Sequence, residues 1–291
     1  MDKCVVRKSI KDAKNDQIIG YELMFENDAE GLYNSPEAST ADTMAGFLMQ
    51  NNDKIFSEKL TFLTVTPSLL FRNTPKIFDK DTLVIQIEDN LILHPLAAPI
   101  IKRYCEDGYK FAINNFQFTP NYFGMLEYTT YIKIDVKGKN KESLDNTVRM
   151  MKGFHKKCIL TGIDLKEEYQ LAKSVDADYL EGNYIAEDLL NKTSKLEFME
   201  GNFCQLVIAV TKDETDIEEI EAIIARDAAL TYMLFKMVNS AYFALRQRVS
   251  SIRQAIVTLG IGQLKRWVYL MSFNESGENG AMEEVLRLSF L

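Results

Sequence analysis

Gln86, Asn114, Asn115 and Thr161 each stand where a short apolar run breaks off: Leu83-Val84-Ile85, Phe111-Ala112-Ile113 and Ile159-Leu160. Such runs read as buried strands entering loops, and in a parallel β/α barrel that junction is where reacting groups project. Carboxylates converging on strand ends would hold hard divalent cations. Amides and hydroxyls lack the negative charge for that task. The set therefore reads as an enzyme-like arrangement that has lost its metal chemistry. A plainer reading makes Glu22 and Lys133 an ion pair in the barrel mouth and Asn114-Asn115 a turn-favouring pair.

The elements that must position these residues alternate. Val5–Ile10 and Ile18–Phe25 flank Asn15-Asp16 and predict a hairpin. Ser39–Gln50 reads as a helix with Met44, Phe47 and Leu48 on one face. Strands are expected at Leu60–Val65, Leu83–Ile87, Tyr109–Ile113, Tyr131–Val136, Lys157–Leu160 and Tyr179–Tyr184. Helical stretches fall at Pro67–Phe71, His94–Asp107, Ser143–Phe154 and Lys166–Val175. Repeated strand–helix alternation predicts an α/β fold with a parallel sheet, and seven or more strands favour closure into a barrel.

The polar stretch Glu187–Lys195 is the candidate domain junction, and beyond it the pattern is all-α. Thr215 or Asp216 caps a helix with Ile217, Ile220, Ile223 and Ile224 on its apolar face, and Asp227 caps one carrying Leu230, Met233, Leu234, Met237 and Val238. Ser250 or Ser251 opens a helix that stops at Gly260, and Gln263–Ser272 follows with Leu264, Trp267, Val268 and Met271 buried.

The chain has 34 Lys+Arg against 42 Asp+Glu, a formal charge of −8, which argues against a general nucleic-acid binder. Arg246, Arg248, Arg253, Lys265 and Arg266 around Gly260-Ile261-Gly262 suggest a helix-turn-helix, but Trp267, Val268 and Leu270 read as core rather than base-reading residues. Four widely spaced cysteines read as reduced thiols. No apolar run reaches membrane-span or signal-peptide length, so a cytoplasmic protein is expected. His94 and His155, the two histidines, fall on separate helices and exclude a His–Asp metal cluster in the helical region.

Gly20-Tyr21-Glu22-Leu23-Met24-Phe25-Glu26, Phe62–Pro67, Tyr131-Ile132-Lys133-Ile134-Asp135 and Asp178–Tyr184, in that order and spacing, resemble the EAL domain, a barrel family that hydrolyses cyclic di-GMP. The resemblance covers roughly residues 1–190. Asp227–Leu230, Val238–Tyr242 and Ile252–Gly260 resemble the HDOD domain, an all-α signalling module related to HD phosphohydrolases but without their metal ligands. The implied architecture is an EAL-type TIM-like (β/α) barrel over residues 1–190, then a smaller, partial HDOD domain over 191–291.

In the EAL family, carboxylates and an Asn hold two divalent ions and a Lys stands near the attacking water. Carried over position by position, Glu22 and Lys133 are retained. The Asn ligand becomes Thr64, the next Glu becomes Gln86 with Asp89 as second acid of its motif, and the Asp pair becomes Asn114-Asn115. A further Glu becomes Thr161 with Asp164 following, the nucleotide-contacting Gln becomes Glu181, and the phosphate-pairing Arg becomes Glu26. The resemblance therefore implies a bacterial signal-transduction scaffold, not an enzyme, with no metal or cofactor, acting on signalling proteins through protein contacts rather than on nucleic acid or membrane. Cyclic di-GMP is a disfavoured ligand. The rival is a cyclic di-GMP receptor that does not hydrolyse its ligand, and residual phosphodiesterase activity ranks below both. An uncapped apolar tail (Val285, Leu286, Leu288, Phe290) suggests either a helical domain that continues in a longer chain or a face buried against the barrel or a second copy, and a homodimer through the helical domain is the expectation.

Overall fold

The computed structural model describes residues 3–25, 40, 44, 59–186, 189–193, 199–212, 214–239 and 248–275. Lys3–Asp12 (β1) and Ile18–Phe25 (β2) form the expected antiparallel hairpin. Its turn closes because the Asp12 carboxylate accepts backbone N–H bonds from Lys14 (2.9 Å) and Asn15 (3.1 Å), while Asp16 takes a left-handed φ of 57° that a short polar side chain tolerates.

Parallel strands follow from β2: Leu60–Thr64 (β3), Leu83–Ile87 (β4), Lys110–Ile113 (β5), Tyr131–Asp135 (β6), Lys157–Thr161 (β7) and Tyr179–Glu181 (β8). Between them lie the helices Pro67–Phe71 (α1), Asp89–Ile92 (α2), Ala97–Glu106 (α3), Pro120–Met125 (α4), Lys141–Gly153 (α5) and Lys166–Lys173 (α6). β1 pairs with β2 along its length and with β8 through Ile10–Asp12, so eight strands close into a barrel. Closure thus runs through one antiparallel strand, where the sequence pattern had suggested a parallel sheet.

The stretch read as a polar junction contains a further strand, Leu189–Thr193 (β9), antiparallel to Lys3–Arg7 of β1. Only the last residues of β1 meet β8, and the backbone groups of its first half need another partner. β9 supplies it, and straddles the boundary expected at residue 190.

Side chains on a strand alternate between faces. Ile10, Phe62, Val84, Ala112, Tyr131 and Ile159 pack together as an apolar layer within the barrel. Two residues further along the same strands come Thr64, Gln86, Asn114, Lys133 and Thr161. The alternate set, including Leu63, Ile85, Phe111, Ile132 and Leu160, faces outward into the larger core beneath the helices.

The C-terminal region is helical: Glu200–Thr211 (α7), Ile217–Ala225 (α8), Ala228–Val238 (α9) and Ile252–Glu275 (α10). Asp216 caps α8 by accepting from Glu218 N, and Asp227 caps α9 by accepting from Ala229 N and Leu230 N. Ser251 Oγ accepts from Gln254 N at the start of α10. Gly260 (φ 73°, ψ 156°) breaks α10 in two, where the sequence predicts a stop. The larger core is continuous from the barrel's outer shell to Leu264, Trp267 and Val268. Gln263 donates to the Lys76 carbonyl at 3.2 Å, and the Arg72 guanidinium lies 5.4 Å above the Tyr269 ring. Of the predicted helix Ser39–Gln50, Thr40 and Met44 are helical; its other residues, Glu26 and the tail from Val285 to Phe290 lie outside the described residues. Among the described residues no helix is long and apolar enough to cross a membrane.

Candidate functional site

Five of the ten candidate residues meet in the barrel, one layer above its apolar filling. Lys133 Nζ lies 2.9 Å from Glu22 Oε1 and 2.8 Å from Glu181 Oε2, and donates to Gln86 Oε1 at 3.0 Å. The Gln86 amide nitrogen donates to Glu22 Oε1 (2.6 Å) and to Thr64 Oγ1 (3.0 Å). Only one orientation of the amide suits both neighbours: an ammonium needs the oxygen and a carboxylate needs the nitrogen. Glu22, Gln86, Lys133 and Glu181 are all buried. Each comes from a different strand, and the parallel register sets Thr64 beside Gln86.

One ammonium between two carboxylates leaves an excess negative charge, and burial makes that costly. The two carboxyls respond in opposite directions. Burial alone would raise both carboxyls. At Glu22 the Lys133 ammonium and hydrogen bonds from Glu181 and Gln86 outweigh burial and hold it at about 2. At Glu181 burial and then the Glu22 carboxylate dominate, and its pKa rises well above the usual carboxylate range. Burial works against the charge on Lys133, but Glu181 and Glu22 overcome it and raise its pKa. Glu181 Oε2 contacts the ammonium without hydrogen-bond geometry; a proton on Glu181 gives it a donor to the ionised Glu22. The assembly is then neutral: one cation, one anion, one acid.

The other five candidates stand apart from this network. Asn114 donates to Glu88 Oε1 at 2.7 Å. Asn115 is exposed with φ 51°, a left-handed turn position that suits Asn. Asp89 accepts from the Tyr122 hydroxyl, and Gln117 Nε2 lies 3.5 Å from its other oxygen. Asp164 pairs with Lys137 at 2.6 Å and accepts from Asn183 N at 3.2 Å. Thr161 ends β7 opposite Asp135. Gly162 follows with φ 74°, and a Cβ there would collide with the Asp135 carboxylate, so the turn admits only glycine without strain.

Sequence reasoning missed Glu88. The signal was present, because strand alternation puts Gln86 and Glu88 on one face and Asp89 on the other. In the helical region Leu264, Trp267, Val268 and Leu270 are buried, as a core reading of the helix after Gly260 requires. Arg253 is engaged by Glu218 and Glu221.

The EAL domain family matches residues 65–188 and the HDOD domain family matches residues 197–290. This chain is an EAL–HDOD protein. Its EAL barrel has the fold of BlrP1 from Klebsiella pneumoniae in a calcium/cyclic di-GMP complex (TM-score 0.54, 14% identity, 65% of this chain and 59% of that one). It also has the fold of the EAL enzyme Bd1971 in a cAMP and cyclic di-GMP bound form (TM-score 0.52, 13% identity, 64% and 61%). Over nearly the whole chain the EAL–HDOD protein is 27% identical to the uncharacterized protein YuxH of Bacillus subtilis, covering 99% of this chain and 72% of that protein. It is 23% identical over 274 residues to the cyclic di-GMP phosphodiesterase CdgJ of Vibrio cholerae, covering 91% of this chain and 63% of CdgJ.

Proposed function

We propose that this EAL–HDOD protein is a non-catalytic signal-transduction scaffold: an EAL barrel over residues 1–190 and an HDOD module over residues 191–291 that act through protein contacts. One observation carries the reading. Lys133, Glu22, Glu181 and Gln86 pair with one another in a buried cluster, which leaves no group there poised to bind a phosphate or activate water.

The donor chemistry supports the same conclusion. EAL hydrolysis calls for two divalent ions, and hard cations are held by carboxylate oxygens. Here the ligand positions on β3, β4 and β5 carry Thr64, Gln86 and Asn114-Asn115. Gln86 points its nitrogen, not its oxygen, at Glu22, and Asp89 and Asp164 are engaged by Tyr122 and Lys137. Among the described residues no three of His, Cys, Asp or Glu converge as a metal site. These residues do not fit a divalent pair.

The likeness to CdgJ, a cyclic di-GMP phosphodiesterase by name, favours one rival: a receptor that binds cyclic di-GMP in the barrel mouth without hydrolysing it. Calorimetric titration separates the two. The scaffold reading expects no heat of binding up to high ligand concentration, and a micromolar or tighter Kd would replace it with the receptor.

A further inference from the structure

Where the barrel meets the HDOD helices, the shared apolar core is bordered by a polar seam. On α10, beyond the break at Gly260, Gln263, Arg266 and Tyr269 stand three residues apart, which sets them along one stripe of the helix. Across from them lie the end of α1 and the 3-10 turn Thr74–Ile77 that follows it. Gln263 donates to the Lys76 carbonyl at 3.2 Å and accepts from Arg266 Nη1 at 3.2 Å. The Arg72 guanidinium lies 5.4 Å above the Tyr269 ring, and the Lys76 ammonium 4.9 Å above the Tyr104 ring. Burial pushes the Tyr104 and Tyr109 hydroxyls up and the Arg266 guanidinium opposes it, which places Arg266 beside the same pair of rings.

The charges along this seam do not balance. Lys76 pairs with Asp107 at 2.6 Å, and Arg103 and Lys80 also act on that carboxylate. Asp79 is the other acid near Tyr109. Arg72, Lys76, Lys80, Arg103 and Arg266 thus meet two carboxylates, in a chain whose acids outnumber its bases by 42 to 34. Among the described residues Arg266 makes no ion pair, and its guanidinium is held by the neutral Gln263 amide. A partly buried guanidinium among other cations is unfavourable until an anion neutralises it. Guanidinium groups match phosphate oxygens two at a time, and ligand sites favour the seams between domains.

We propose that Arg72 and Lys76 of the barrel and Arg266 of the HDOD helices form a binding site for the phosphate group of a small molecule. Bound there, the anion neutralises cations from both parts and holds the helices against the barrel. The turn Thr74–Ile77 precedes the start of β4, so the site lies towards the barrel end opposite the Lys133 cluster. It does not depend on the scaffold reading, and turnover of cyclic di-GMP would leave it standing.

The test is calorimetric titration of the full chain at low ionic strength with inorganic phosphate, pyrophosphate and ATP, against sodium chloride at matched ionic strength. Saturable binding of at least one phosphate probe is expected, with a rise in the urea midpoint of the chain. Tightest binding of ATP makes the source a nucleotide; tightest binding of phosphate or pyrophosphate makes it a free anion. Arg266→Gln and Arg72→Gln are each expected to weaken binding about tenfold or more, as loss of a hydrogen bond to a charged group does. Lys236→Gln, whose ammonium stands over Tyr232 on α9, should leave it unchanged. Circular dichroism shows whether each variant folds, and Lys76→Gln stands in for an arginine variant that does not. No binding beyond the chloride control overturns the proposal, as does binding that all folded variants share. An oligoglutamate peptide is the last probe: if it binds where the phosphates do not, the seam receives an acidic protein segment and the phosphate site is wrong.

Discussion

At the scale of single residues, the account turns on Lys133. Its ammonium neutralises two buried carboxyls, and removing one partner of a buried ion pair typically costs about 3–5 kcal/mol. Lys133→Met is therefore expected to lower unfolding stability by roughly that amount in urea titrations; a change near zero would mean that the lysine is dispensable to the cluster. Glu181 predicts a particular pH dependence. An unfolded chain exchanges both carboxyl protons near the ordinary 4.5. Above that, the native protein still holds one proton that the unfolded chain has lost, so stability falls as pH rises towards the elevated pKa of Glu181. Below it, the unfolded chain takes up two protons while the native cluster holds one until about pH 2, so stability falls again as pH drops. Glu181→Gln should flatten the decline above 4.5 and keep the acid limb. Urea midpoints measured across pH would show this, and an unchanged upper limb would mean that Glu181 is ionised in the native protein.

At the scale of elements, caps, periodicity and the opening hairpin were legible, and the other pairings of β1 were not. Asp227 could be picked outright, and Asp216 and Ser251 each as one of two neighbouring candidates, because a short polar acceptor before an apolar 3.6-residue pattern has few other uses. The break at Gly260 was legible for a related reason, since glycine tolerates a non-helical φ of 73° that other residues resist. β9 was not legible. Leu189–Thr193 becomes a strand because β1 leaves half an edge unpaired, and that demand comes from a segment nearly two hundred residues away. Closure through the antiparallel β1 was hidden likewise. In the site, the sequence marked Glu22, Thr64, Gln86, Lys133 and Glu181 together with five residues that stand apart from them, and the plain ion-pair reading of Glu22 and Lys133 describes part of what forms. The separate fates of Asp89 and Asp164 depended on Tyr122 and Lys137, which no local pattern ties to them. Asp227 offers the sharpest test at this scale. Besides capping α9, its carboxylate accepts from Met199 N at 2.8 Å and so fastens the start of α7. Asp227→Ala should cost about 2 kcal/mol, the upper end for a lost cap. A loss of only a few tenths in denaturant titration would show that solvent replaces both bonds.

For the whole molecule, the barrel's outer shell and the HDOD helices share one continuous apolar core, joined further by Gln263 on the Lys76 carbonyl and Arg72 over Tyr269. A shared core predicts a single cooperative transition. Trp267, the chain's one tryptophan, is buried in the helical part and reports there alone, while far-ultraviolet dichroism reports both parts. The two probes should give coincident urea curves, and an earlier fluorescence transition would show that the HDOD helices unfold independently. The central claim, that the EAL barrel is closed to chemistry by its own ion pairs, is tested most directly by incubating the purified chain with cyclic di-GMP and Mg²⁺ or Mn²⁺ and separating the products. The account predicts no linear dinucleotide above the level of a protein-free control. Linear product formed at enzymatic rates, and lost in Glu22→Ala, would contradict it.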